Sequence, residues 1–148
     1  MSSNIYVEAQ MLIRKSIEDV FEAFINPEIT TNFWFTESTG RLEEGKTVTW
    51  EWEMYGARMD VKVLQVIQNQ LIKTEWGEPS TYVDYEFKEM EKGTLVVIKS
   101  YGFSQQGEDL LKIINDNTGG FTTVLDGCKA YLEYGINLGL IEDKFPSK

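Results

Sequence analysis

Residues 47–63 have the sequence TVTWEWEMYGARMDVKV, in which apolar side chains occupy every second position on either side of Gly56. These apolar side chains are Val48, Trp50, Trp52, Met54, Ala57, Met59, Val61 and Val63. A period of two residues is typical of a half-buried β-strand, and a glycine between two such runs marks a turn. The segment therefore predicts an antiparallel hairpin with one apolar, aromatic face and one charged face.

The register expected for this hairpin has a two-residue turn that places Met54 opposite Ala57. The apolar residues of the two strands then face one another, and most charged residues have an opposite charge or a polar group across the strand. One pair, Glu51 opposite Asp60, is unfavourable, and basic side chains on the diagonal offset it.

Three further strands are predicted downstream, at residues 71–76, 81–90 and 94–101. Turn-forming residues at 78–80 and 91–93 separate them. Connections this short favour an antiparallel meander. A sheet with one apolar face has to be covered by another layer of secondary structure.

The C-terminal segment supplies this cover as an amphipathic helix. Its apolar residues recur at helical spacing and are Phe121, Val124, Leu125, Cys128, Tyr131, Leu132 and Ile136. The triplet Thr118-Gly119-Gly120 predicts the start of the helix, and Asn137 and Gly139 predict its end. The preceding residues, 110–114, indicate another short helix or a lid-like loop.

The N-terminal part predicts one strand followed by two short helices. Ile5 to Ile13 alternate imperfectly and indicate the strand. Ser16 can cap a helix whose apolar residues lie on one stripe, and this helix should end at Asn26-Pro27. Because proline is favoured at a first helical position, Asn26 and Pro27 also predict a second short helix, which carries Phe33-Trp34-Phe35.

Strand, two short helices, antiparallel meander and long C-terminal helix follow one another in the order of the α+β helix-grip fold, in which a curved sheet wraps around the last helix. The chain resembles bacterial START-like (SRPBCC, polyketide cyclase/dehydrase and lipid-transport) proteins, in the subgroup similar to the C-terminal domain of the activator of heat-shock protein 90 ATPase. The motifs that carry the resemblance are Ser16–Phe24 with Asn26-Pro27-Glu28, Asn32–Phe35, Val48–Trp52, Thr118–Phe121 and Tyr131–Gly135. The resemblance implies a single START-like domain over residues 1–148, with a cavity between sheet and helix.

Composition excludes several classes of function. The chain has 148 residues, 24 acidic and 14 basic side chains, a formal net charge of −10, no histidine and one cysteine. Without histidine there is no Ser-His-Asp triad and no histidine-ligated zinc, and one cysteine builds neither an internal disulfide nor a multi-cysteine metal site. The acidic charge argues against nucleic acid and anionic membranes as partners.

Because the N-terminus does not resemble a secretory leader and no apolar run is long enough to span a membrane, we expect a cytoplasmic protein.

The inward-facing aromatic and apolar residues are the candidate ligand site. They are Trp34, Trp50, Trp52, Met59, Trp76, Tyr85, Phe87, Tyr101, Phe121, Leu125 and Cys128. Small-molecule pockets are lined mainly by such side chains, but large aromatic residues also fill ordinary cores. The sequence therefore leaves two possibilities: an open hydrophobic cavity, or one filled by the four tryptophans.

The remaining candidates predict structural rather than chemical roles. We interpret Cys128 as a small buried hydrophobe, and the acidic pairs Glu51/Glu53 and Glu89/Glu91 as solvated faces. Gly119-Gly120 lacks the other residues of a phosphate loop and is interpreted as a tight entry into the helix. If Lys99 or Tyr101 points inward, it could orient a polar ligand group. We assign no catalytic residue, metal ligand or cofactor.

Three functions follow, in order of preference. The first is non-catalytic binding of a small, largely apolar or aromatic molecule between sheet and helix. The second, implied by the resemblance alone, is interaction with a chaperone as in the activator of heat-shock protein 90 ATPase. The third is a cyclase- or hydrolase-like enzyme in the same cavity. Residues 102–117 are a candidate mobile lid, and the sequence is compatible with a monomer or a homodimer.

Overall fold

The computed structural model describes residues 5–146. Residues 1–4 and 147–148, including the N-terminus used above to argue against a secretory leader, lie outside the described residues. The strands are β1 (Tyr6–Ile13), β2 (Glu37–Ser38), β3 (Thr47–Trp52), β4 (Ala57–Ile67), β5 (Leu71–Trp76), β6 (Thr81–Met90) and β7 (Gly93–Tyr101). The helices are α1 (Ile17–Ile25), α2 (Pro27–Thr30), α3 (Gly107–Tyr134) and α4 (Leu140–Lys144).

The strands form one antiparallel sheet in the order β1-β7-β6-β5-β4-β3-β2. Its apolar face packs against α1 and the long helix α3, and the core lies between them. This arrangement confirms the predicted α+β helix-grip fold. No helix within residues 5–146 is long and apolar enough to cross a membrane.

Local capping determines the two short helices as predicted. The Ser16 hydroxyl accepts a hydrogen bond from the Asp19 amide at 3.2 Å, and the Asn26 side chain accepts one from the Glu28 amide at 3.0 Å. The cluster 33–35, however, follows α2 instead of belonging to it. All three of its residues are buried, and three consecutive residues of a helix cannot share one face.

The hairpin of β3 and β4 forms, but its predicted register is wrong by two residues. Ala57 pairs with Trp52 instead of Met54, because residues 53–56 form a longer connection that contains a 3-10 turn and ends at Gly56 with φ +60°. A shift of two residues keeps every side chain on its predicted face. The apolar face is therefore retained.

The observed register also removes the unfavourable charge pair. Glu51 lies opposite Arg58, and their side chains form an ion pair at 3.0 Å. Asp60 lies opposite Thr49, whose hydroxyl donates a hydrogen bond to the carboxylate at 2.7 Å. Cross-strand pairs of this kind stabilise a sheet, so the charged face favours this register over the predicted one.

The long helix begins 11 residues earlier than predicted, at Gly107 instead of Thr118. Residues 110–114, predicted as a short helix or a lid-like loop, are therefore helical and part of α3, as are residues 107–117 of the candidate lid. Gly119 and Gly120 lie inside the helix. Each costs about 1 kcal/mol relative to alanine, a penalty that the packing of a helix can offset.

The predicted end of α3 is also corrected. The helix ends at Gly135, whose φ of +69° suits a glycine and whose amide donates to the Tyr131 carbonyl at 2.8 Å. Ile136, predicted on the buried stripe, lies beyond this cap and is 50% exposed.

Two polar contacts join α3 to the end of β1 and to the residue that follows it, and an ion pair within α3 links the two. The Lys129 ammonium donates to the Leu12 carbonyl at 2.9 Å and pairs with the Glu133 carboxylate at 2.6 Å. The Arg14 amide donates to the same carboxylate oxygen at 2.9 Å. Burial by itself raises the pKa of Glu133, but the Arg14 amide and Lys129 hold it below its ordinary value.

Candidate functional site

A cavity of about 250 Å³ lies between one end of the sheet and the middle of α3. Protein interiors are close-packed and contain few voids larger than a water molecule, so an open volume of this size distinguishes the region. Its lining is mainly apolar and consists of Trp34, Trp52, Tyr55, Ala57, Trp76, Asn117, Gly120, Phe121, Val124, Ile141 and Phe145.

Two strand ends and one loop bring three tryptophans to this cavity. Trp52 is the last residue of β3 and Trp76 is the last residue of β5. These strands flank β4 and run in the same direction, so both end at the same side of the sheet. Trp34 comes from the loop after α2, and its ring centroid is 6.0 Å from that of Trp76.

One face of α3 forms the opposite wall. Asn117, Gly120, Phe121 and Val124 follow the three- and four-residue spacing of a helix face. The Phe121 ring lies 5.8 Å from the Trp76 ring and closes one side. A Cβ atom placed on Gly120 would have no atom within 4 Å. The absence of a side chain at this position therefore leaves open volume.

A C-terminal strap, residues 140–146, forms a further wall and leaves the cavity open on one side. Ile141 and Phe145 of this strap border the cavity. The Tyr55 hydroxyl, from the turn between β3 and β4, is within hydrogen-bond distance of the Ile141 carbonyl, at 3.1 Å, and the Phe145 carbonyl, at 2.5 Å. The strap is thus tied to the hairpin across the cavity.

The structure brings four of the predicted site residues to the cavity, namely Trp34, Trp52, Trp76 and Phe121. Five others are buried in the core without bordering it, namely Trp50, Tyr85, Phe87, Leu125 and Cys128. Trp50 is 1% exposed, and its ring stacks on Phe35 with 4.4 Å between centroids. It fills the core beside the cavity.

The other two predicted residues lie elsewhere. Met59 is half-buried, packs against the core from β4 and also borders a separate depression on the surface. Tyr101 lies on the opposite face of the sheet because it pairs with Tyr82, one residue out of phase with the inward Val83. Its hydroxyl donates to the Asp84 carboxylate at 3.1 Å. Lys99 shares this outer face, so neither of these residues orients a ligand in the cavity.

Several lining residues were not predicted from the sequence. Asn117 and Gly120 lie four and one residues before Phe121, and continuing the helical spacing backwards from Phe121 would have found Asn117. The strap shows no recognisable sequence pattern, because α4 has only five residues and is too short for a helical periodicity. Its position depends on the contact with Tyr55, which is distant in sequence.

The described lining of the cavity offers few side chains that could take part in a reaction. Within residues 5–146, no carboxylate, lysine, arginine or cysteine lines it. Burial, with a smaller contribution from the negative charge of Glu142, raises the pKa of the lining Tyr55 above its ordinary value. Cys128 lies in the core, where burial and then Glu133 raise the pKa of its thiol far above the ordinary value. It is therefore a protonated thiol and a poor nucleophile.

Three carboxylates meet on the charged face of the hairpin. One carboxylate oxygen from each of Glu37, Glu51 and Glu53 lies within 4.8 Å of the other two. Glu51 is already paired with Arg58, and both Glu37 and Glu53 are exposed. Such groups are common on protein surfaces and carry no metal assignment by themselves.

A family model described as "Activator of Hsp90 ATPase homolog 1-like protein" matches residues 14–133. No curated protein matches the chain. A crystal structure of a protein from Staphylococcus saprophyticus is 33% identical, with a TM-score of 0.82. The match covers 90% of this chain and 96% of that chain.

Two more distant structures share the fold. The crystal structure of DynU16, from the dynemicin biosynthetic locus, is 14% identical, with a TM-score of 0.82 over 91% of this chain and 49% of that chain. The solution structure of the Aha1 dimer from Colwellia psychrerythraea is 18% identical, with a TM-score of 0.76 over 88% of this chain and 98% of that chain.

Proposed function

The chain belongs to the activator of Hsp90 ATPase homolog 1-like family, within the START-like superfamily, and from this premise we propose that it binds a small, largely apolar or aromatic molecule without catalysing a reaction. The site of this proposal is the cavity between the end of the sheet and α3.

The observation that carries the proposal is the cavity of about 250 Å³ between three tryptophan rings and Phe121. Aromatic walls favour flat apolar ligands, because rings pack against rings in stacked or edge-to-face geometry. Ligand pockets commonly measure about 300–1,000 Å³. The volume here therefore suits a molecule of about two fused rings.

The tryptophans divide into two roles under this proposal. Trp50 is packed in the core, whereas Trp34, Trp52 and Trp76 border the open volume. This division favours the open cavity over the filled one. The enzyme hypothesis receives less support, because the described lining offers no acid and base that could act together.

The test is native mass spectrometry of freshly purified protein, compared with its denatured mass. We expect an added mass that disappears on denaturation and is absent from the Gly120→Leu variant, whose new side chain occupies the cavity. If no mass is bound, and small bicyclic aromatic molecules also fail to bind in a direct titration, the proposal is wrong.

A second candidate is interaction with a chaperone, which the description of the matching family favours. Its test is the ATPase rate of heat-shock protein 90 with and without the protein. An unchanged rate and no measurable association would remove this candidate without affecting the binding proposal.

Two expectations accompany the proposal. A cytoplasmic location agrees with a single, buried cysteine, which a reducing compartment keeps as a thiol. Either a monomer or a homodimer can carry the cavity, since one chain supplies every lining residue described here.

A further inference from the structure

We propose that the cavity selects uncharged aromatic ligands that carry one hydrogen-bonding group, and that Asn117 binds this group. This inference rests on the proposed function, because it names the ligand class for the same cavity. It concerns a residue outside the aromatic pattern that predicted the site.

Asn117 is a polar side chain of the lining that has no hydrogen-bond partner within the described part of the chain. The indole N–H of Trp76 is a second unpartnered polar group of the lining, but it can only donate. Asn117 is half-buried and lies one helical turn before Phe121, on the same face of α3. Its carboxamide has no hydrogen-bond partner among residues 5–146. An asparagine side chain offers two donors and one acceptor oxygen, so it can pair with a hydroxyl or a carbonyl group.

The hydroxyl of Tyr55, a further polar group of the lining, is already occupied. The Tyr55 hydroxyl has the Ile141 and Phe145 carbonyls as partners, so its proton is committed to the strap. A ligand group that both donates and accepts a hydrogen bond therefore pairs best with Asn117, because the Trp76 indole offers a donor only.

The absence of charge in the described lining determines the second part of the inference. Moving an ion from water into an apolar site is costly unless an opposite charge receives it. The lining offers no such partner, and the net charge of −10 further disfavours an anion. Tryptophan rings can attract cations, so a cationic ligand is the alternative that the experiment has to exclude.

The experiment uses four matched bicyclic probes: naphthalene, 2-naphthol, 2-naphthoate and N-methylquinolinium. Each is titrated into the 15N-labelled protein, and binding is followed at the indole N–H signals of the four tryptophans. We expect 2-naphthol to bind about 2- to 10-fold more tightly than naphthalene, as one neutral hydrogen bond predicts. Both charged probes should bind more weakly than 2-naphthol.

Two asparagine variants separate the role of Asn117 from a general effect of substitution. In Asn117→Leu, the preference for 2-naphthol over naphthalene should disappear. Asn115→Leu alters an exposed asparagine two residues away that does not line the cavity, and it should keep the preference. Well-dispersed indole signals show that each variant is folded.

The outcomes are distinguishable. If Asn117→Leu keeps the wild-type preference, Asn117 does not bind the polar group, although the cavity still binds aromatic molecules. Tighter binding of 2-naphthoate or N-methylquinolinium than of 2-naphthol overturns the uncharged class. If none of the four probes shifts any indole signal, the proposed function itself fails.

Discussion

Filling the cavity from α3 should stabilise the protein and abolish ligand binding at the same time. The variant is Gly120→Leu. A Cβ atom at this position has no neighbour within 4 Å, and the cavity of about 250 Å³ is much larger than a leucine side chain. The substitution should therefore fit without overpacking.

Two contributions determine how much Gly120→Leu should raise the free energy of unfolding. Replacing a glycine inside a helix stabilises it by up to about 1 kcal/mol. Complete burial of a leucine side chain contributes about 1.5–3 kcal/mol, and about half of this applies in a cavity that is open on one side. The free energy of unfolding should rise by about 1.5–2.5 kcal/mol, which raises Tm by about 3–10 °C in a chain of this length.

The assay combines thermal unfolding, followed by circular dichroism, with titration of 2-naphthol. Gly120→Ala and Gly119→Ala are the controls for helix propensity. Gly119 does not line the cavity, and its Cβ would lie 3.4 Å from the flexible Lys144 ammonium. Both alanine variants should gain up to about 1 kcal/mol, and Gly119→Ala should keep ligand affinity, whereas Gly120→Leu should weaken binding by at least about 10-fold. A leucine variant that is less stable than wild type, or that binds equally well, contradicts the assignment of this volume.

Three further predictions concern the strap, the contact of α3 with the N-terminal segment, and the core. Tyr55→Phe removes the hydroxyl that ties the strap to the hairpin, so amide hydrogen exchange in residues 140–146 and ligand dissociation should both become faster. Glu133→Gln should lower the free energy of unfolding by about 1–3 kcal/mol at neutral pH, since it removes a charged partner of Lys129. The pKa of Glu133 is lowered in the folded protein, so its stabilisation is complete above the ordinary value of 4.5 and is lost as the pH falls through the lowered value. Urea unfolding at several pH values should therefore show wild type and variant converging in acid. Cys128 should resist iodoacetamide in the native protein and react only after unfolding, as its raised pKa and burial require; rapid native labelling, measured by mass spectrometry, would contradict the thiol's placement in the core.

The sequence correctly predicts those parts of the fold whose structure depends on residues that are near one another in the chain. Ser16 and Asn26 cap the helices that follow them through contacts two or three residues away. The alternation around Trp50 assigns its strand and its face for the same reason. Neither depends on the position of a distant segment.

The hairpin register could not be predicted by the same reasoning. A shift of two residues leaves every side chain on its face, so the apolar pattern is equally satisfied by Met54 or by Trp52 opposite Ala57. The length of the turn decides between them. The ion pair of Glu51 with Arg58 and the hydrogen bond of Thr49 to Asp60 favour the observed alternative.

The sequence pattern also could not distinguish a residue of the core from a residue of the cavity wall. Trp50 and Trp52 face the same way on one strand, yet Trp50 packs in the core while Trp52 borders the open volume. The difference arises because β3 ends at Trp52, and because α3 approaches that end of the sheet with a glycine. Periodicity reports which face a residue occupies but contains no information about what lies opposite.

Gly120 connects the error in the helix boundary with the origin of the cavity. Two adjacent glycines disfavour a helix, so the sequence predicted that the helix begins there. A helix optimised for stability alone would carry alanine or leucine at this position, and leucine would occupy the space beside Trp52 and Trp76. Natural proteins tend to depart from local preferences at functional sites and recover the stability elsewhere. In this chain α3 continues through the glycines, and the missing side chain leaves the volume in which we propose that the ligand binds.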